Sequence, residues 1–149
     1  MELHFLRVRD VKHPDRGTSR SSGIDFFVPY DFGGVTLYPG ESVKIPSGIH
    51  AKMTNCMMIA FNKSGVAVNK SLIVGAEVID EDYQGEIHIH VINVGSDIQQ
   101  IDPGDKLVQF LVFPTWIVDY TITSDLKPTM FYESTTERNA GGFGSTGIR

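Results

Sequence analysis

The sequence predicts an all-β protein. Three observations carry this: short apolar runs recur along the chain, Gly, Pro and Asp cut between them, and no segment sustains a long 3.6-residue apolar period. The runs come in the order LHFLRVR, IDFFVP, GVTLYP, SVKIP, CMMIAF, SLIVGAEVI, EIHIHVINV, KLVQFLVF and WIVDYTI. Between them lie DRGTSRSSG, PGES, DEDYQGE, GSD and DPGD, each rich in turn formers. Eight or nine short strands at such spacing make a sandwich or a barrel. The one helix candidate is the short SGVAVNK, with weak capping.

The chain has 149 residues, the size of one ordinary domain, with 41% apolar and 21% charged residues. Its formal charge of −5 argues against a general nucleic-acid binder, which needs a basic face. An anionic small molecule stays open, because a few local cations outweigh net charge. Cys56 is the single cysteine, so no intramolecular disulfide forms; inside NCMMIAF it reads as a small buried hydrophobe. The N-terminus lacks the apolar core of a signal peptide, and no run reaches the ~18 residues of a membrane helix. The expectation is a cytoplasmic protein with no membrane partner, in host cytoplasm if the source is viral.

From about Glu133 the β pattern stops. ESTTERNAGGFGSTGIR holds too little apolar surface to offset its ordering entropy, and a frayed end accounts for it. The alternative is a lid. Glycines let backbone approach a ligand, Ser145 and Thr146 offer hydroxyls, and the Phe143 ring can cover a planar base.

Several stretches can carry chemistry. Lys63, Ser64 and Gly65 stand where a strand passes into the short helix. A cation, a hydroxyl and free N–H groups there suit an anion, although a capping serine beside a solvated lysine explains them locally. In VGAEVIDEDYQGEIHIHVIN the apolar flanks suggest a β-hairpin with Asp80, Glu81, Asp82 and Glu86 near its tip. Asp80 directly follows an apolar pair, so partial burial is expected, and a carboxylate there can take a proton from water. The local alternative is a set of solvated turn acids, with Tyr83 as a strand-edge aromatic. His88 and His90 share one strand face, but no third ligand is near enough for zinc. Gln109 lies inside an apolar run and needs hydrogen-bond partners if buried. Asp25 follows a glycine and reads locally as a turn or core-network carboxylate.

Taken in order, SSGIDFFVP, NKSGVAV, VGAEVIDEDYQGEI, GDKLVQFLV and RNAGGFGSTG resemble the five motifs of the trimeric deoxyuridine triphosphatases (dUTP pyrophosphatases). The resemblance covers about residues 20–147, and its third and fifth motifs are the most specific. It implies a jelly-roll-like distorted β-barrel over residues 1–132 and a flexible Gly-rich lid over 133–149. It also implies a homotrimer with active sites at subunit interfaces. The implied reaction is dUTP to dUMP and pyrophosphate, by water attack on the α-phosphate, with Mg2+ on the triphosphate. That reaction limits uracil in DNA and supplies dUMP for thymidylate synthesis.

Carried over residue by residue, Asp80 matches the carboxylate that deprotonates water, and Tyr83 the ring under the deoxyribose. Glu77, Val78, Ile79 and His88 match the uracil slot, and Phe143 the ring that stacks on uracil. Ser64, Gly65 and Gln109 match phosphate contacts, and Lys63 stands at a phosphate-binding position. Arg138 matches the arginine reaching the distal phosphates, with Gly144, Ser145 and Thr146 nearby. Asp25 can hold a water on the magnesium ion. Three positions depart from the family pattern. Asn62-Lys63 replaces Pro-Arg, which keeps a charge but loses a bidentate fork. Glu77 and Asn139 each replace a glycine. A dCTP deaminase of the same fold and a non-catalytic trimeric nucleotide-binding protein are the competing readings. The DEDYQG loop and the phenylalanine favour the pyrophosphatase.

Overall fold

The computed structural model describes residues 1–132, 134–136 and 140. The chain divides into two units, Met1–Trp116 and Ile117–Arg149. In the first, eleven strands surround one apolar core.

The strands are β1 (Glu2–Arg7), β2 (Ile24–Phe26), β3 (Val35–Leu37), β4 (Ser42–Pro46), β5 (Ile49–Thr54) and β6 (Cys56–Asn62). Helix α1 (Ser64–Lys70) follows, then β7 (Leu72–Val74), β8 (Val78–Ile79), β9 (His88–Asn93), β10 (Gln99–Ile101) and β11 (Val108–Pro114). They form a four-stranded sheet in the order β2-β11-β6-β8, a three-stranded sheet β4-β9-β7, and the pairs β1-β5 and β3-β10. All these pairings are antiparallel. The architecture is the expected all-β, jelly-roll-like one.

The core forms because the strands alternate. Along β9, Ile89 and Val91 are buried while His88 and His90 lie on the opposite, half-exposed face, as their spacing predicts. Phe26 and Phe110 are fully buried with ring centroids 4.5 Å apart, and Phe5 meets Phe26 edge-on at 5.6 Å. Burying a ring of this size stabilises by roughly 1.5–3 kcal/mol. Cys56 is buried, as expected, with its thiol against the Glu2 carbonyl.

Four expectations change. IHAKMT, which is not among the predicted runs, forms β5; its apolar Ile49, Ala51 and Met53 alternate with polar residues. Gln99–Ile101 pairs with β3 despite two glutamines, because tertiary pairing overrides a weak local pattern. SLIVGAEVI is two strands, β7 and β8, in different sheets. WIVDYTI forms no strand: Trp116, Ile117, Val118, Tyr120 and Ile122 are all exposed, and no described strand pairs with them. An unpaired extended segment has no ladder to hold it.

The predicted helix matches α1 at both ends. It begins after Lys63 without a side-chain cap and ends where Ser71 turns left-handed at φ 50°. Among its described residues the second unit holds one short helix, α2 (Pro128–Phe131), with proline in its first turn. Among the described residues no helix is long and apolar enough to cross a membrane.

Candidate active site

The expected hairpin is a crossover. β8 pairs with β6, with Val78 opposite Ile59 and Ile79 opposite Met58, whereas β9 pairs with β4 and β7. Residues 80–87 therefore carry the chain from one sheet to the other. β8 ends its sheet, so among the described residues only one of its edges is paired. The Glu77 carbonyl accepts from Ala60 N–H at 2.8 Å, extending that pairing by one residue. Glu77 itself is exposed; the only non-glycine residues described with positive φ are Asn55 and Ser71, so its backbone carries no left-handed strain.

Beside β8 lies a cleft of about 210 Å³ lined by Ala76, Val78, Ile79, Asp80, Tyr83 and His88. Five of these are residues the sequence singles out; Ala76 is not, since nothing distinguishes it from a filler between Gly75 and Glu77.

The crossover is tied down by hydrogen bonds. Tyr83 N–H donates to the Asp80 carbonyl at 3.1 Å, closing the turn. The Tyr83 hydroxyl and His88 Nδ1 both reach the Glu86 carbonyl, at 3.0 and 2.9 Å. A carbonyl only accepts, so His88 carries its proton on Nδ1 in this bond. Gly85 is needed here, because a Cβ on it would run into the Tyr83 ring.

The four carboxylates separate by environment. Glu86 makes a two-pronged ion pair with Arg9, at 2.7 and 3.1 Å, and accepts from Gly48 N–H. The Arg9 guanidinium, helped by Gly48, holds the Glu86 carboxyl below its usual range, although burial opposes this. Glu81 accepts from Asn55 N–H at 2.8 Å and so caps the β5–β6 turn. The side chains of Asp80 and Asp82 have no hydrogen bond or ion pair among the described residues, and of these two only Asp80 lines the cleft. The expected partial burial of Asp80 is not found: it stands just past the end of β8 and is exposed among the described residues of the single chain.

A second group lies at the other end of the same sheet. In β11, Gln109 stands opposite Asp25 of β2 and Phe61 of β6. Gln109 Nε2 donates to the Asn62 carbonyl at 2.9 Å, which meets the need its setting predicts. Gly23 is needed beside it, since a Cβ there would overlap the Gln109 side chain. Asn62 Oδ1 accepts from Val74 N–H at 2.7 Å, linking the end of β6 to β7. Ser64 and Gly65 open α1 next door.

Asp25 is 5% exposed and bound on both sides, by Lys63 on Oδ1 and by Lys106, at 3.4 Å, on Oδ2. Lys63 is therefore ion-paired rather than solvated. Lys106 has no role in the sequence reading, although it sits inside GDKLVQFLV. A carboxylate whose two oxygens each face an ammonium group does not fit as the holder of a cation's water. Among the described residues no group of three or more His, Cys, Asp or Glu is arranged to hold a metal.

The two groups are far apart in one chain. Lys63 lies four to five residues along β6 from the positions that face Val78 and Ile79, or about 13–17 Å at ~3.3 Å per residue. Arg138, Phe143, Gly144, Ser145 and Thr146 lie outside the described residues, as does Asn139.

The relatives share both sequence and fold. The chain is 34% identical over 147 residues to a deoxyuridine 5'-triphosphate nucleotidohydrolase of Mus musculus, covering 97% of this chain and 85% of that one. It is 35% identical over 141 residues to the protein so named in Desulfitobacterium hafniense, covering 92% and 88%. Among solved structures, a point mutant of the dUTPase of Staphylococcus bacteriophage 80alpha with dUpNHpp superposes with a TM-score of 0.81 over 99% of both chains, at 19% identity, a likeness of fold. The dUTPase from phage phi11 of S. aureus, solved as a mutant that shows the coordination of a structural Mg(II) ion, gives 0.72 at 20% identity, over 85% of this chain and 99% of that one. The dUTPase family model matches residues 9–147, which takes in both groups described above, so the chain belongs to the dUTPase family.

Proposed function

We propose that this protein hydrolyses dUTP to dUMP and pyrophosphate, limiting uracil in DNA and supplying dUMP for thymidylate synthesis. The observation that carries the reading is the cleft beside the edge strand β8, with one unpaired carboxylate, Asp80, at its wall. The unpaired edge of β8 offers main-chain groups to the pairing edge of a pyrimidine, and a narrow slot rejects a methyl group. Tyr83 lies under the sugar, where a ring leaves no room for a 2′-hydroxyl. Asp80 takes the proton of the water that attacks the α-phosphate. Ser64, Gly65 and Gln109 hold phosphate oxygens, so that chemistry becomes chiefly a matter of positioning. Arg138 and Phe143 complete the site from the C-terminal arm, residues 133–149, which acts as a lid on the bound substrate.

Magnesium enters as part of the substrate, on the triphosphate. Both oxygens of Asp25 already face lysine ammonium groups, which favours the phosphates over this carboxylate as the holders of the metal.

The working unit is a homotrimer with shared sites. The separation of Asp80 from Ser64 and Gly65 supports this: main-chain groups and a carboxylate so far apart do not meet at one phosphorus, whereas a second copy brings its own phosphate group to the first copy's cleft. The single buried thiol and absent disulfide suit a cytoplasmic setting, or host cytoplasm for a viral source.

Incubation of the purified protein with each deoxynucleoside triphosphate and magnesium tests the reaction. Release of pyrophosphate from dUTP alone is expected. Release of ammonia from dCTP marks a deaminase, and binding without turnover marks a nucleotide-binding protein.

A further inference from the structure

Resting on the reading above, we propose that Lys106 is a second phosphate-binding cation beside Lys63, and that Asp25 is the buried positioning residue which holds both ammonium groups in place. The three residues come from neighbouring strands. β11 lies between β2 and β6, so Asp25 on β2, Lys63 just past β6 and Lys106 just before β11 converge at one end of the sheet. Asp25 needs one cation to offset the cost of its burial. It has two, which leaves one positive charge over.

That surplus faces outward. The Lys106 side chain is 54% exposed and that of Lys63 is 20% exposed, against 7% for Asp25. Each ammonium has three N–H donors and one partner among the described residues, so donors remain for an anion. The neighbouring Asp105 does not compete, because it faces Lys70 at 3.7 Å. Gln109 and the start of α1 border the same spot.

The arrangement also accounts for Lys63. An arginine there would place a planar fork on two phosphate oxygens; a single lysine is a point charge. Two lysines on one carboxylate present two donors at a fixed spacing. Asn62, bonded through its side chain to β7 and through its carbonyl to Gln109, fixes the direction in which Lys63 leaves the strand.

The test uses Lys106→Gln, Lys106→Arg and Asp25→Asn in the full chain. Lys106→Gln is at an exposed side chain and leaves the core intact. It should raise KM for Mg·dUTP about tenfold, the loss of one charge-assisted bond, and leave inhibition by dUMP within about twofold. Lys106→Arg should retain wild-type KM. Asp25→Asn should raise KM likewise without changing the Mg2+ concentration for half-maximal rate. Calorimetric titration with inorganic tripolyphosphate reads the two lysines without turnover, and Lys106→Gln should weaken it. If the wild type releases no pyrophosphate from dUTP, the functional reading falls, and the tripolyphosphate titration still decides the role of Lys106. Unchanged KM and unchanged tripolyphosphate binding in Lys106→Gln overturn the proposal. A higher Mg2+ requirement in Asp25→Asn overturns the role given to Asp25. Should Asp25→Asn fail to fold, the Lys63→Gln/Lys106→Gln double variant replaces it, and a loss no greater than that of Lys63→Gln alone counts against the pair.

Discussion

Asp80 and Glu86 lie six residues apart on the same crossover and do different work because of what each touches. Glu86 is engaged by Arg9 and Gly48; Asp80 is free at the cleft. Asp80→Asn keeps shape but cannot take a proton, so turnover should drop by at least ~100-fold while dUMP binding persists; steady-state rates and dUMP titration check this. Glu86 gives a pH effect of defined sign. Its folded pKa is depressed below the ordinary 4.5, so its stabilising contribution is complete above that value and is lost as pH falls through the folded one. Glu86→Gln should therefore lower stability by about 1 kcal/mol at neutral pH, discounted because Arg9 is partly exposed. The difference from wild type should shrink in urea melts carried below pH 4.5.

At the scale of elements, the crossover between β8 and β9 decides the site. Its shape depends on the Tyr83 ring lying against Gly85. Gly85→Ala should displace that ring and raise KM for dUTP, with little effect on the melting temperature, because the core strands are untouched. The C-terminal arm is the second such element. Cutting after Glu137 removes Arg138 and Phe143 but none of the eleven strands. The truncated protein should fold and assemble normally, and its turnover should fall by about two orders of magnitude or more, since positioning of the reacting groups is lost. Circular dichroism, sedimentation and rate measurements together separate a lid from a structural strap.

For the whole molecule, the separation of the two groups makes a quantitative prediction. Asp80→Asn and Gln109→Ala should each be nearly inactive alone. Co-refolded in equal amounts, they should recover about a quarter of wild-type activity, the fraction of interfaces in a random cyclic assembly that unite an intact Asp80 with an intact Gln109. A site built within one chain would recover nothing. Sedimentation of the wild type should show a trimer.

Much of this was already present in the order of residues. Alternation in EIHIHVINV sets which face of β9 is buried, and SGVAVNK gives α1 its full extent. The motif order selects Asp80, Tyr83 and His88 before any coordinate does. These are local properties: period, turn chemistry and short patterns act over a few residues. What only the tertiary structure decided is pairing. No local signal says that β8 joins β6 while β9 joins β4 and β7, so a hairpin and a crossover look alike in the chain. Nor does the sequence reveal that Lys63 and Lys106 share Asp25, because those residues are distant in sequence and meet only where β2, β11 and β6 lie side by side. WIVDYTI has the composition of a strand but, in this chain, no described partner to pair with. A strand is a contract between two segments, and one segment's sequence states only half of it.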